Sequence, residues 1–298
     1  MPEAPHPMSS DRAETVAARI RASFDTLTRA ERQLAGEIMG NYPMSGLGSI
    51  AAMAEASGVS GPTVARMARK LGFAGFPELQ AQLRAELEET VSGPITRHDR
   101  WAAGAPDAHI LNRFAEAAAE NLRLSLGQID ADAFDAVADM LGDEARTVRA
   151  VGGRITRALA EYLITHLQVI RRHAALIPPN ANAWPHYVLD MTPGDVLIAF
   201  DMRRYERDME RLCAMAEERG AKVVLITDQW GSPAARHAAH VFNLRIDVPT
   251  AWDSNMVSMF LVEALLAEVQ TRSRDRTRAR MAELEGLFDR TRQFKKFV

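Results

Sequence analysis

The 298-residue chain contains one cysteine, Cys213. An intrachain disulfide is therefore excluded, and a reducing compartment, the cytoplasm, is the expected setting. Cys213 falls on a helical pattern, where a lone thiol is expected to pack rather than react. No run of 18 or more apolar residues occurs, so no transmembrane helix and no membrane partner are expected. Met1 to Asp11 is polar and Pro-containing without an apolar stretch, and is not expected to act as a signal peptide. There is no P-loop, and "VGGRIT" (Val151 to Thr156) lacks the spacing of a dinucleotide-binding glycine fingerprint. No cofactor is expected. His237 and His240 stand three apart with no further ligands clustered around them, so no metal site is expected.

Large excess charge is also missing. The net charge of -3 argues against wholesale coating of nucleic acid, so the distribution of charge matters more than its total. Between Glu55 and Glu78 the only charged residues are Arg66, Arg69 and Lys70. From Thr271 to Val298 nine Lys/Arg face four Asp/Glu. These are two basic islands in a mildly acidic chain.

The first ninety residues read as helices and turns. Thr28 and Glu31 have capping-box spacing ahead of Leu34, Ile38 and Met39. Ser49 is placed to cap "IAAMAEAS", Gly58 to supply the turn, and Ser60 to cap the next helix with Pro62 in its first turn. "SIAAMAEASGVSGPTVARMARKLGF" thus has the form of a helix-turn-helix. Val64, Met67, Ala68 and Leu71 make an inner face on the second helix, and Thr63, Arg66 and Lys70 are assigned to the other side. Thr63 and Arg66 are placed to reach bases in a major groove, and Lys70 and the helix start at Ser60 to meet phosphate, with Arg69 in the same basic group. A small bundle with a solvated basic face is the competing reading.

After Pro- and Gly-containing residues 92–106 the pattern changes. Apolar runs at Val148–Val151, Ala174–Ile177, Val196–Phe200, Val223–Thr227 and Val241–Leu244 alternate with helical periodicity, as in Ile155 to Ile170. Such alternation implies a parallel sheet with helices on both faces. The expected organisation is a DNA-binding domain over 1–92, a linker and connecting helix over 93–125, an α/β domain over 126–270, and a basic amphipathic helix over 271–298. In that last helix Met281, Leu284, Leu287 and Phe288 share a face, expected to pack on its own or a neighbouring subunit.

"LTRAERQLAGEIM", "GVSGPTVAR" and "KLGFAGFPEL" resemble, as a set, the N-terminal domain of RpiR/MurR-type bacterial transcription regulators. "AVGG", "GDVLIAF" and "AEERGAKVVLITDQWGSPAARHAAHVFNL" resemble the sugar isomerase (SIS) domain that the family carries behind it. The resemblance covers most of the chain. It implies an all-helical helix-turn-helix domain and a C-terminal α/β domain with five parallel strands, doubly wound in order 2-1-3-4-5. It also implies double-stranded operator DNA as a partner, a homodimer or homotetramer, and a small anionic, sugar-phosphate-like effector. The effector's place would be the switch point between the loops after strands one and three.

Those loops depart from the family pattern. A serine/threonine-rich phosphate cradle is implied after strand three, but the chain has "FDMRRYERD", and Asp201 would repel a phosphate placed there. The strand-one loop, Gly152, Gly153, Arg154 and Ile155, offers a hydroxyl only at Thr156. Three readings of Arg203 and Arg204 stay open. They replace the cradle and bind an anion; one of them pairs with Asp201 or Asp208 as a structural lock; or both are solvated residues at a helix start. Tyr205, Thr227 and Ser232 are the remaining crevice candidates, with Trp230 or Trp252 as an apolar wall; Thr227 and Ser232 also read as local caps, and Trp252 reads more simply as core or interface. For an isomerase-like enzyme the candidate bases are Glu206, Glu210, His237 and Glu263. None lies in a recognisable catalytic motif, and no catalytic residue is assigned. A regulator with a degenerate, ligand-independent SIS domain is a further alternative.

Overall fold

The computed structural model describes residues 14–40, 42–91 and 109–292. The chain divides into two compact units, Met1–Glu89 and Thr90–Val298.

The first unit is helical: α1 (Val16–Ser23), α2 (Arg29–Gly40), α3 (Ile50–Ala56), α4 (Gly61–Lys70) and α5 (Phe76–Val91). Local chemistry sets its boundaries. Thr28 N–H donates to Glu31 at 2.8 Å and Glu31 N–H returns to the Thr28 hydroxyl at 3.4 Å, closing the capping box that starts α2. Ser49 accepts from Ala52 N–H at the start of α3. Gly58 takes φ +63, the left-handed step that turns the chain from α3 toward α4. Val64, Met67, Ala68 and Leu71 are buried with Leu34, Ile38, Met53 and Leu83 in one core. Each large apolar side chain in it contributes about 1.5–3 kcal/mol by burial.

The second unit is built on β1 (Val148–Gly152), β2 (Ala174–Leu176), β3 (Val196–Asp201), β4 (Lys222–Asp228) and β5 (His240–Leu244). All pairings are parallel and the order is β2-β1-β3-β4-β5, the topology implied by the resemblance. β3 is buried throughout, as a continuous apolar run in the centre of a parallel sheet should be. On one face Ala150, Ile198, Phe200 and Ile226 pack against α7 (Ala131–Gly142), α8 (Arg157–Ile170) and α11 (Met256–Arg272). On the other, Val151, Leu197, Ala199 and Leu225 meet α9 (Trp184–Leu189) and α10 (Arg207–Glu218). Cys213 of α10 lies in this second layer, where burial pushes its thiol up to about 12 and leaves it inert at neutral pH.

Helix α6 (Ile110–Leu126), part of the stretch expected to connect the domains, packs within the second unit. Asn121 donates to the Asp247 carbonyl at 2.7 Å, and Arg245 N–H donates to the Ser125 hydroxyl at 2.9 Å. The preceding linker residues 92–108 lie outside the described residues. The C-terminal helix α12 (Arg274–Thr291) lies on the second unit through its basic side chains: Arg276 donates to the Gly142 carbonyl and Arg280 to that of Gln168. Met281 and Leu287 on it stay exposed.

Candidate DNA-reading surface and effector crevice

On the first unit, Pro62, Arg66, Arg69 and Lys70 form the exposed side of α4. Among the described residues neither Arg66 nor Arg69 pairs with a carboxylate. Three of the expected contacts behave otherwise. Thr63, assigned to the outer face, is buried at 7 % exposure. It stands one helical turn before Met67, so it closes the edge of the core stripe rather than facing outward. Its hydroxyl lies 2.9 Å from that of Ser60 and accepts from Arg66 Nη2 at 2.9 Å. Ser60 occupies the N-cap position, but its side chain goes to Thr63 and makes no capping bond to an amide. Lys70 is partly exposed yet tied to α2, with Nζ 2.5 Å from the Thr26 carbonyl and 3.0 Å from the Glu31 carboxylate. Burial alone would raise Glu31, but the Thr28 N–H and Lys70 outweigh it and hold the carboxyl below the usual range.

On the second unit, β1 and β3 are neighbours whose following helices lie on opposite faces, so the loops after them flank one crevice. Its volume is about 320 Å³, the lower end for a small-molecule site. Of the expected residues, Gly153, Arg154, Thr156, Asp201, Arg203 and Arg204 line it. Gly152, Tyr205, Thr227 and Ser232 do not. A side chain at Gly152 would meet the Thr156 carbonyl and Arg157 N at 2.6 Å, so glycine is needed for α8 to start this close to β1. Thr227 is buried and donates to the Asp201 carbonyl at 2.7 Å. Ser232 caps the turn Pro233–His237 by accepting from Ala234 N–H, and its hydroxyl donates to the Asp201 carboxylate. The Tyr205 hydroxyl points inward to Asp228 at 2.7 Å. Thr156 spends its hydroxyl on the Phe200 carbonyl at 3.0 Å. Every hydroxyl expected at the crevice is thus committed to the fold.

The two arginines part company. The Arg203 side chain is buried, 2.8 Å from Asp247 and 2.9 Å from Asp253, with its guanidinium 4.2 Å from the centre of the buried Trp230 ring. It is a lock, but its acids come from the segment after β5, not from Asp201 or Asp208. Asp208 pairs instead with Arg211 on the surface. Arg204 is exposed and lines the crevice. Both residues have positive φ, +24 and +63, a conformation that L side chains disfavour. The buried Asp228 carboxylate holds this turn, accepting from Arg203 N–H at 2.6 Å, Tyr205 Oη, Trp230 N–H and Gly231 N–H.

Asp201 is also buried. Burial pushes its carboxyl up to about 6, partly offset by the bonds from Ser232 and from Glu206 N–H, while the Asp228 and Glu206 charges push it further up. The rest of the lining comes from Ile155, Met202, Asp253 and Asn255, from Glu206, considered only as a catalytic base, and from Trp252, weighed as an apolar wall. Trp252, expected to be core or interface, is 54 % exposed and so is not core. The available signal was positional: "DVPTAWDSN" follows the last strand, and loops after parallel strands converge at one end of the sheet. Among the candidate bases, His237 is bonded to Glu217 at 2.8 Å, Glu210 pairs with Arg236, and Glu263 accepts from Tyr162 at 2.9 Å. None of these three lines the crevice.

Comparison with known proteins agrees with both units. Residues 14–90 match the helix-turn-helix domain of the rpiR family, and residues 143–268 match the SIS domain. The chain is 27 % identical over 246 residues to the HTH-type transcriptional regulator HexR of Pseudomonas aeruginosa, covering 80 % of each protein. The sugar isomerase domain of an RpiR transcription factor from Sphaerobacter thermophilus matches with TM-score 0.53 and 26 % identity, over 59 % of this chain and 97 % of that one. Vibrio vulnificus NanR, solved in complex with ManNAc-6P, shares the fold with TM-score 0.55 and 16 % identity, over 92 % of this chain and 98 % of that one. No helix among the described residues is long and apolar enough to cross a membrane. With a helix-turn-helix of the rpiR type in its first unit and a SIS domain in its second, the chain belongs to the RpiR family of transcriptional regulators.

Proposed function

We propose that the protein is a cytoplasmic operator-binding regulator whose α4 enters the major groove and whose SIS domain assembles copies of the chain and binds a small anionic effector. The observation that carries the DNA-binding part is the exposed pair Arg66 and Arg69 on the second helix of a helix-turn-helix, neither of which meets a carboxylate among the described residues. Arg66 reads a base edge, steadied by its bond to Thr63, while Arg69, Lys70 and the helix start at Ser60 meet backbone phosphates. Paired α4 helices in a dimer or tetramer fit an inverted repeat with half-sites about one helical turn apart. Replacing Arg66 with Ala is expected to weaken specific binding by about 1–3 kcal/mol and to relax preference at one base pair. Fluorescence anisotropy on fragments from the protein's own promoter region, at fixed salt, checks this. Unchanged affinity and selectivity remove Arg66 from the readout.

Assembly is supported by α11, whose outer stripe leaves Met256 and Phe260 exposed at 41 % and 38 %. A second copy of the chain covering that stripe is the arrangement a symmetric regulator needs. Phe260→Glu is therefore expected to reduce the mass seen by light scattering by half or more without unfolding the chain; an unchanged mass removes this stripe from the interface.

The effector reading rests on the crevice at the β1/β3 switch point with Arg154 and Arg204 exposed on its wall. NanR binds ManNAc-6P on the same fold, which supports a sugar-phosphate-like class for this chain. Binding controls DNA only if one arrangement of the subunits holds the effector better than another. Catalysis has less support: Glu206 is the one candidate base that lines the crevice, and it already accepts from the Arg154 amide.

A further inference from the structure

Three backbone N–H groups around the crevice are already answered by carboxylates of the chain itself. Arg203 N–H donates to Asp228 at 2.6 Å, Glu206 N–H to Asp201 at 3.4 Å, and Arg154 N–H to Glu206 Oε1 at 3.4 Å. The three acceptors are not equivalent. Asp228 and Asp201 are buried and hold several donors each, so neither is free to leave. Glu206 is exposed and stands at the N-cap position of α10, yet its side chain makes no capping bond. It reaches from the β3 loop to the β1 loop instead. Its Oε1 lies 2.7 Å from where a Cβ at Gly153 would stand, in a hollow that exists only because residue 153 has no side chain.

That hollow has the features of an anion's seat. A backbone amide points into it, a glycine makes room, and Arg154 and Arg204 line the surrounding wall. The negative charge now in it belongs to the protein and hangs on a flexible side chain by one long hydrogen bond. Resting on the reading of the crevice as the effector site, we propose that Glu206 is a specificity-determining residue that occupies the place of the ligand's anionic group. An anionic effector binds by displacing the Glu206 carboxylate from the Arg154 amide and seating its own charge between Arg154 and Arg204. The internal anion sets a threshold: a neutral sugar gains nothing by displacing it, and a dianionic phosphate ester displaces it more readily than a monoanion. The family's hydroxyl cradle is replaced here by a competition between two anions for one amide and two guanidinium groups.

Calorimetric titration of the full chain with inorganic phosphate and with glucose 6-phosphate, at fixed ionic strength, tests this. Glu206→Gln keeps the shape and the acceptor but removes the charge, and is expected to tighten both probes tenfold or more. Adding Arg204→Ala to that variant is expected to reverse the gain, and Glu206→Asp to fall between wild type and Gln. A merely structural Glu206 would instead show unchanged or weaker binding together with a lower unfolding midpoint. If the wild-type chain binds a probe in a manner that Arg204→Ala weakens, yet Glu206→Gln binds no tighter, the competition is refuted while the effector site stands. If no variant binds either probe, the effector reading and the competition fall together.

Discussion

Arg203→Ala is expected to cost the second unit about 3 kcal/mol of stability, whereas Arg204→Ala costs well under about 1 kcal/mol. The guanidinium of Arg203 is buried between Asp247, Asp253 and the Trp230 ring, so removing it takes the cation from two carboxylates and opens a void against an aromatic face, although Gln229 still donates to Asp247. Both acids keep about a quarter of their side-chain surface in water, which places the loss at the low end for a broken buried pair. The residue also sits in a left-handed turn; its backbone N–H bond to Asp228 survives the substitution, so the loss falls on the side-chain contacts. Urea unfolding of the two single variants, followed by Trp fluorescence, checks the contrast. Equal stabilities would mean that Arg203 is not a lock.

The second large effect is on pH. Asp201 has a folded-state pKa of about 6 because burial disfavours its charge. An unfolded carboxyl titrates near 4, so between these values the folded chain holds a proton that the unfolded chain has released. Stability contributed by this group is therefore full below about pH 4, falls as pH rises to about 6, and stays lost above it. The shift corresponds to about 2–3 kcal/mol across that window. Asp228 lies beside it, is also raised by burial, and pushes in the same direction. Asp201→Asn is expected to remove most of this slope, so the wild-type minus variant difference in unfolding free energy, measured from pH 4 to 7, should fall as pH rises. A flat difference would show that Asp201 ionises as an ordinary carboxylate.

Local signals carried much of the architecture. The capping box of Thr28 and Glu31, the Ser49 cap and the Gly58 turn act within a few residues, and each forms as its spacing implies. The five apolar runs became the five strands, since a buried parallel strand needs little beyond continuous hydrophobicity and the helices between. The order of those strands came from the family resemblance and matches the sheet. Thr63 shows where periodicity misleads: a residue at the margin of a helical stripe is exposed or buried according to what packs beside it.

The site was legible as a location and much less as a set of contacts. Gly153, Arg154, Asp201 and Arg204 line the crevice, while Ser232 and Tyr205 turn inward to buried carboxylates and Thr227 to the Asp201 main-chain carbonyl. The partners of Arg203 stand 44 and 50 residues further along and belong to no motif. Glu206 was visible as an acid beside a helix start, but nothing in its neighbourhood indicates that it reaches the opposite loop.

Composition, periodicity and caps thus determined two folding units of different class and the strand–helix alternation of the second, while the place where its loops meet came from the family resemblance. Those properties depend on residues a few positions apart. Tertiary structure alone decided which arginine is locked and which is free, which hydroxyls are spent on the fold, and which carboxylate lies on the strand-one loop. A charge's partner is chosen by distance in space, and a sheet that brings the ends of β1, β3, β4 and β5 together sets those distances without leaving a local trace in the chain.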